Sequence, residues 1–186
     1  MLKKNLPKTA THLEELDGFL YRGIVADPAW PYTNTASRGA AENHYPTMSI
    51  EDICNEPVEN LAADDAHLHL WTTNAFLEPA FEVIRAWGFT YKSCMVWVKP
   101  TIGMGNYWRV SHEFLLFAVR GNLPFQCKDK RSWVLHPRES HSRKPFIFRS
   151  LIEQVTPGPY LEMYGREEQH SGEWTVYGNN VERRLF

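Results

Sequence analysis

The sequence has few cysteines, no long apolar run and almost no net charge. Its 186 residues include only three cysteines, Cys54, Cys94 and Cys127, and none of them belongs to a CxxC motif. An odd and scattered set argues against a disulfide framework or a zinc site, since both require grouped thiols. We therefore expect reduced thiols.

Long apolar segments are absent too. The longest apolar runs, at 95–98 and 114–119, have the length of strands, whereas a membrane helix needs about 20 apolar residues. The basic start of the chain leads into no apolar signal segment. With 43% hydrophobic and 23% charged residues, the composition is that of a globular chain. We expect one domain over residues 1–186, in the cytoplasm, with no membrane partner.

The net charge of −2 hides an uneven distribution. Residues 120–149 carry eight Lys and Arg residues against two acidic residues, Asp129 and Glu139. A basic stripe in a nearly neutral protein is typical of a surface that binds a polyanion, although a solvated loop would have the same composition. On the first interpretation, nucleic acid contacts Lys128, Lys130, Arg131 and Arg143.

Strand-like and helix-like segments alternate along the chain. The pattern predicts six strands, at 19–27, 67–72, 92–98, 113–120, 160–164 and 174–177, and long polar loops at 31–47, 101–112 and 121–143. It predicts helices after Ser49, at 76–87 and at 145–155. The alternation indicates an α/β domain with helices on both faces of a sheet. Ligands of such folds bind beyond the carboxyl ends of the strands.

One of these strand ends carries a specific chemical pattern, Asp27-Pro28-Ala29-Trp30. The exocyclic amine of adenine is a poor nucleophile because the ring delocalises its lone pair. A carboxylate and a proline carbonyl can each accept one N–H and draw the nitrogen towards tetrahedral geometry. Trp30 could stack on a flipped base. The alternative is a turn that ends a strand and carries a core tryptophan.

The wider sequence resembles the MT-A70 family of adenine N6-methyltransferases, in its bacterial and phage branch. The resemblance runs from about residue 21 to 180. It rests on segments that occur in the family's order: VADPAW (25–30), HYPTMS (44–49), LHLWTTN (68–74), AWGFTYK (86–92), VWVKP (96–100), GMGNYWRVSHEFLLFAVRGNLP (103–124), SHSRKP (140–145), YLEMYGR (160–166) and WTVYGNN (174–180). Ala29 departs from the family's D-P-P-W, which puts the rate more in doubt than the chemistry.

The resemblance implies a Rossmann-like domain that uses S-adenosylmethionine, with a mostly parallel sheet and a permuted motif order. It implies Asp27, Pro28 and Trp30 as catalytic residues. The implied cofactor-binding residues are Asp27, Lys144, Glu162, Arg166, Asn179 and Asn180. Lys144 could instead be a surface lysine at a helix start, Glu162 and Arg166 an ordinary ion pair, and Asn179 a turn residue.

Substrate contacts are expected from the loops. Tyr45 matches a family aromatic beside the target base, and its alternative is a packed loop tyrosine. Asn106, Tyr107, Trp108 and Arg109 combine amide, aromatic and cationic groups, which suits base stacking and phosphate contact. Core packing of the two aromatic residues is the alternative.

Two histidine groups raise the question of a metal. His67 and His69 point to one face of a strand but lack a third ligand, and His136, Glu139 and His141 lie in the basic segment. We predict no metal, because neither group has the ligand set of a common site.

The expected function is therefore methyl transfer from S-adenosylmethionine to N6 of adenine in DNA. The alternatives are an RNA adenine N6-methyltransferase and a catalytically silent partner subunit that binds nucleic acid. The sequence leaves open a homodimer and a complex with a partner subunit.

Overall fold

A single eight-stranded sheet organises the computed structural model, which describes residues 5–31, 47–103, 107–139, 143–165 and 173–178. In chain order its strands are β1 (Thr9–Ala10), β2 (Tyr21–Ala26), β3 (Ala62–Thr72), β4 (Thr90–Val98), β5 (His112–Arg120), β6 (Trp133–Leu135), β7 (Tyr160–Met163) and β8 (Trp174–Tyr177). The α-helices are α1 (Ile50–Asn55), α2 (Val58–Leu61), α3 (Leu77–Ala86) and α4 (Phe146–Val155). Short 3₁₀ turns cover Leu13–Leu16 and Asn74–Phe76.

The sheet is mostly parallel, as expected for a Rossmann-like methyltransferase fold. Its strand order is β1-β8-β7-β2-β3-β5-β4-β6. β5 runs antiparallel to both of its neighbours, β3 and β4, and every other pairing is parallel. The carboxyl ends of β2, β3, β4 and β7 therefore meet at one edge of the sheet, where β5 begins.

The predicted helices lie on both faces of the sheet, since successive side chains of a strand point to opposite faces. In β2, Ile24 and Ala26 pack in the same cluster as Val83 and Ile84 of α3. Val25, between them, packs with Phe148 and Ile152 of α4. We call these sides the α3 face and the α4 face. Ser49 and Asp52 form the predicted capping box at the start of α1.

The six predicted strands are present, and the structure adds two more. β1 and β6 have only two and three residues, and β6 lies inside the segment 121–143 that we predicted as a loop. Such short strands form because β8 and β4 each have an otherwise unpaired outer edge whose backbone groups need partners, which no local pattern reveals. β3 also begins earlier than predicted, at Ala62. The prediction missed this start because exposed Asp64 and Asp65 interrupt the apolar pattern.

His67 and His69 lie buried on the α4 face and form a hydrogen-bonded chain through Thr156. Thr156 Oγ1 lies 2.8 Å from His67 Nδ1 and 2.9 Å from His69 Nε2, and His67 Nε2 lies 2.9 Å from the Leu123 carbonyl oxygen. A carbonyl only accepts, so neutral His67 carries its proton on Nε2. The Thr156 hydroxyl then donates to His67 Nδ1 and accepts from His69 Nε2.

Burial keeps both histidines neutral at neutral pH. Burial lowers the pKa of His69 to about 3, helped by the nearby His67, and burial likewise lowers the pKa of His67. Within the described residues, no group of three or more His, Cys, Asp or Glu side chains could hold a metal ion. The two histidines therefore tie β3 to the end of α4 and to the segment that follows β5.

We predict that Thr156→Val lowers the free energy of unfolding by about 2–4 kcal/mol, because two buried ring nitrogens lose their partner. Thr72→Val is the matched control, since Thr72 is also buried and its hydroxyl makes only a 3.5 Å contact to a carbonyl oxygen. Urea denaturation at pH 7.5 measures both variants. Equal losses of unfolding free energy in the two variants would contradict a stabilising role of the Thr156 hydrogen bonds.

The histidine pKa values also predict loss of stability in weak acid. Because the folded pKa of His69 lies below its unfolded value, stability is complete above about pH 6.5 and falls as the pH drops towards 3. Between pH 7.5 and 5.5, His69 alone should remove about 1.4 kcal/mol. We expect His69→Gln to show a smaller difference in unfolding free energy between these pH values. His12→Gln, at an exposed histidine, should keep the full difference, and an unchanged slope in His69→Gln would disprove this account.

Candidate active site at the carboxyl edge of the sheet

Four charged side chains meet where the carboxyl ends of the parallel strands converge. Asp27 directly follows β2, Lys99 follows β4, and Glu113 is the second residue of β5. Lys144 lies two residues before α4 begins. The topology therefore brings together residues that are up to 117 positions apart in the chain.

The four groups alternate in sign. Lys144 Nζ lies 2.5 Å from Asp27 Oδ2 and 3.3 Å from Glu113 Oε2. The other oxygen of Glu113 pairs with the ammonium of Lys99. Lys144 also lies 5.2 Å from the ring centroid of Trp71, close enough for a cation–π attraction. Each buried charge thus has a partner of opposite sign.

Burial and charge compete in setting the pKa values here. Burial alone would lower the pKa of Lys144, but attraction to Asp27 and Glu113 outweighs it, so the pKa is raised. Burial alone would raise the pKa of Glu113, but Lys144 and Lys99 together lower it. Burial lowers the pKa of Lys99 despite its pairing with Glu113. At neutral pH Lys144 and Glu113 are both charged.

The segment after β2 holds its carboxylate at the surface and its tryptophan in the core. The Asp27 side chain is 36% exposed, so a bound molecule can reach it. The Pro28 carbonyl accepts from Trp30 N–H at 2.9 Å, which leaves one of its two lone pairs for another donor. The Asp27 carboxylate is therefore accessible, whereas Pro28 as a residue is buried.

Trp30 does not offer the stacking face that we expected for a base. The residue is only 4% exposed, and its ring lies parallel to Phe76 with centroids 5.5 Å apart. Its indole Nε1 donates to the Trp71 carbonyl oxygen at 3.1 Å. The alternative reading, a core tryptophan in a turn that ends a strand, describes its position. Trp30 anchors the turn because its ring is the large apolar side chain of that segment.

Among the other cofactor-binding candidates, the structure describes Lys144 and Glu162. Lys144 pairs with Asp27 and is not a solvated surface lysine. Glu162 of β7 forms an ion pair with Arg149 of α4. Arg166, Asn179 and Asn180 lie outside the described residues.

The residues present at this edge fit S-adenosylmethionine. Its methionine part carries an ammonium and a carboxylate, for which Asp27 and Lys144 have the complementary charges. The carboxyl ends of β7 and β8 carry Gly165 and Gly178, and a Cβ atom at Gly178 would lie 2.2 Å from the Gly165 carbonyl oxygen. Nearby, the buried hydroxyl of Tyr164 has no hydrogen-bond partner among the described residues. The backbones that follow β7 and β8 thus pack closely against each other at this end of the sheet.

The predicted substrate-binding residues divide into two groups. Tyr107 and Trp108 are 95% and 88% exposed, so core packing is excluded for both, and they lie with Arg109 in the loop that leads into β5 at the carboxyl edge. Arg143 directly precedes Lys144, and its Nε lies 3.6 Å from Glu139 Oε2. Tyr45 and Asn106 lie outside the described residues.

Lys128, Lys130 and Arg131, which we predicted to contact nucleic acid, lie away from this edge. They precede β6, whose carboxyl end lies beside that of β4. Since a strand rises about 3.3 Å per residue, Lys130 and Arg131 lie more than 10 Å back along the sheet. The parallel pairing of β6 with β4 places them there, and that pairing was not predicted.

Two residues of the charge cluster were not identified from the sequence. Lys99 occupied a strand end that we noted, but no role was assigned to it. Glu113 is a carboxylate at the start of an otherwise apolar strand, a signal that could have singled it out. His136 and Glu139 form no metal-binding group with other described residues, and His141 lies outside them.

Comparisons with known proteins identify the family of this chain. The MT-A70 family profile matches residues 21–180. The type II methyltransferase M.MunI of a Mycoplasma species is 27% identical, in a match covering 78% of this chain and 72% of that protein. An N(6)-adenosine-methyltransferase MT-A70-like protein of Drosophila melanogaster is 25% identical over 86% of this chain and 26% of its own length. The N(6)-adenine-specific methyltransferase METTL4 of Mus musculus is 25% identical over 88% of this chain and 38% of its own length. The chain thus spans well under half of the two animal relatives.

The charge cluster predicts a specific loss of stability. Glu113→Gln removes the carboxylate that Lys99 and Lys144 share, so we expect the free energy of unfolding to fall by about 2–4 kcal/mol at pH 7. Glu139→Gln, at an exposed residue paired with Arg143, should change it by no more than about 1 kcal/mol. Thermal and urea denaturation compare the two, and a loss in Glu113→Gln no larger than in the control would contradict the pairing.

Proposed function

The chain belongs to the MT-A70 family, and we propose on this basis that it transfers the methyl group of S-adenosylmethionine to N6 of adenine in DNA. The observation that carries the proposal is the juxtaposition of the Asp27 carboxylate, the Pro28 carbonyl and the Lys144 ammonium at the carboxyl edge of the sheet. When bound, the cofactor supplies an electrophilic methyl group on a sulfonium.

Asp27 and Pro28 would bind the two protons of the adenine amine. Lys144 occupies Asp27 Oδ2, and the second carboxylate oxygen remains for one N–H of the base. The Pro28 carbonyl has a lone pair for the other N–H. Drawing both protons out of the ring plane localises the nitrogen lone pair, which is electrostatic stabilisation directed at the transition state.

Lys144 and Trp30 would act by positioning. Lys144 holds the Asp27 carboxylate in one orientation and is itself held by Glu113. Trp30 would hold the turn against the core through its hydrogen bond to the Trp71 carbonyl and its contact with Phe76. A rigid turn favours transfer because the reacting groups need little reorganisation. No described residue has to remove the proton before attack, since the methylated amine releases it readily.

The exposed aromatic residues support a nucleic-acid substrate. Tyr107 and Trp108 present their rings to solvent beside a cationic side chain, Arg109, and base stacking on such rings contributes about 1–3 kcal/mol per base. Arg143, beside Lys144, could contact a phosphate. DNA is preferred over RNA because the matching segments have the character of the bacterial and phage branch, and the bacterial relative is matched over most of its length. Within the described residues, no helix is both long and apolar enough to span a bilayer, and we propose a cytoplasmic location.

Methyl transfer from labelled S-adenosylmethionine tests the proposal directly. The acceptors are matched DNA and RNA oligonucleotides, single- and double-stranded, that contain adenine. We expect label on N6-adenine in DNA, and a loss of at least about 100-fold in Asp27→Ala. Asp129→Ala, at an exposed carboxylate outside the site, should keep full activity.

The other outcomes each decide against part of the proposal. Label in RNA only would assign the chain to RNA. No label on either nucleic acid, from folded protein that also shows no binding of S-adenosylmethionine by calorimetry, would favour a silent partner subunit. Full activity in Asp27→Ala would disprove the role given to that carboxylate.

A further inference from the structure

A cavity of about 200 Å³ lies on the α4 face, apart from the charge cluster. Lys144 precedes α4, whereas the cavity lies against the last turns of that helix, so α4 separates the two by roughly 10–15 Å along its axis. Its walls are mainly apolar side chains of β4, β5 and α4, namely Met95, Leu115, Phe117, Leu151, Ile152 and Val155.

The cavity has a structural cause. α4 is the one helix described on this face, and Phe148 in its first half packs against Trp71 and Trp97, with ring centroids 4.9 and 5.7 Å away. Towards the second half, β4 presents a small side chain, Ser93, in the row that holds Met95 and Trp97. Phe125 closes the space from the segment after β5.

The polar groups of the cavity are unevenly distributed. At its inner end lies His69, buried and uncharged at neutral pH, with its Nε2 already bonded to Thr156. Ser93 and Ser132 add hydroxyl groups, and two cations, Lys130 and Arg131, complete the lining. Among the described lining residues there is no carboxylate. Lys130 pairs with Asp129 at 3.2 Å, and Arg131 lies over the Trp133 ring at 5.7 Å, so both cations remain near the exposed mouth.

We propose that this cavity binds a small amphipathic carboxylate, with its apolar body between β4, β5 and α4 and its anionic group beside Lys130 and Arg131. The uncharged walls favour an apolar body. At the mouth, Lys130, Arg131 and Asp129 together leave a net positive charge, which favours an anion. An apolar cavity of about 150 Å³ accommodates benzene, so about 200 Å³ suits a body somewhat larger than benzene. The site does not depend on the proposed methyl transfer.

Protein-observed NMR with 2-naphthoate as the probe tests this site. We expect saturable amide shifts at Ser93, Ser132 and Val155, little change at Lys144, and a Kd below about 1 mM. The uncharged isostere 2-naphthamide should bind at least five-fold more weakly. Absence of binding by 2-naphthoate at millimolar concentration would overturn the proposal, as would equal affinity of the two probes.

Matched variants separate this site from other places where the probe could bind. Ser93→Phe should fill the cavity and abolish the shifts, and a strand accepts phenylalanine readily. Lys130→Gln with Arg131→Gln should weaken binding of 2-naphthoate at least five-fold, whereas Lys128→Gln, outside the lining, should leave it unchanged. Unchanged affinity in the charge variant would overturn the proposal even if Ser93→Phe failed to fold. Displacement of the probe by AMP would instead indicate a nucleotide site and would also overturn it.

Discussion

Electrostatic compensation among four charges at the carboxyl edge is the constraint on which the candidate site depends. Lys99 is almost fully buried and Glu113 largely so, and each would be costly to bury without a partner. Their pairing, extended by Lys144 to Asp27, joins the end of β4, the start of β5, the approach to α4 and the end of β2. The same interactions that satisfy the buried charges therefore orient the carboxylate proposed to bind the adenine amine.

The two faces of the sheet are covered in different ways. On the α3 face, aliphatic and aromatic side chains of α1 and α3 cover the central strands and form the larger core cluster. On the α4 face, α4 is the one helix of the described residues that covers the sheet. The hydrogen bonds of Thr156 to His67 and His69, and Phe125 of the segment after β5, complete the packing there. A face covered in this way leaves unfilled volume, which explains the cavity beneath α4.

Most of the fold was predictable, because its main strands are long, apolar and bounded by clear signals. The sequence predicted that Asp27-Pro28 ends β2 and that Ser49 caps α1, and the structure has both features. The short strands β1 and β6 were missed, since their pairing partners lie far away in the chain. The position of Lys130 and Arg131 in the fold likewise depends on how β6 pairs, which the sequence does not reveal.

The sequence by itself determined the family, the mostly parallel α/β architecture and the identity of the residues after β2, because these depend on local patterns and ordered motifs. Only the tertiary structure decided which charges meet. Glu113 joins Lys99 and Lys144 because β5 runs antiparallel and so begins where its neighbours end. The tertiary structure also decided that the Trp30 side chain is buried in the core. A side chain's partners depend on strand order and direction, which are properties of the whole sheet and of no single segment.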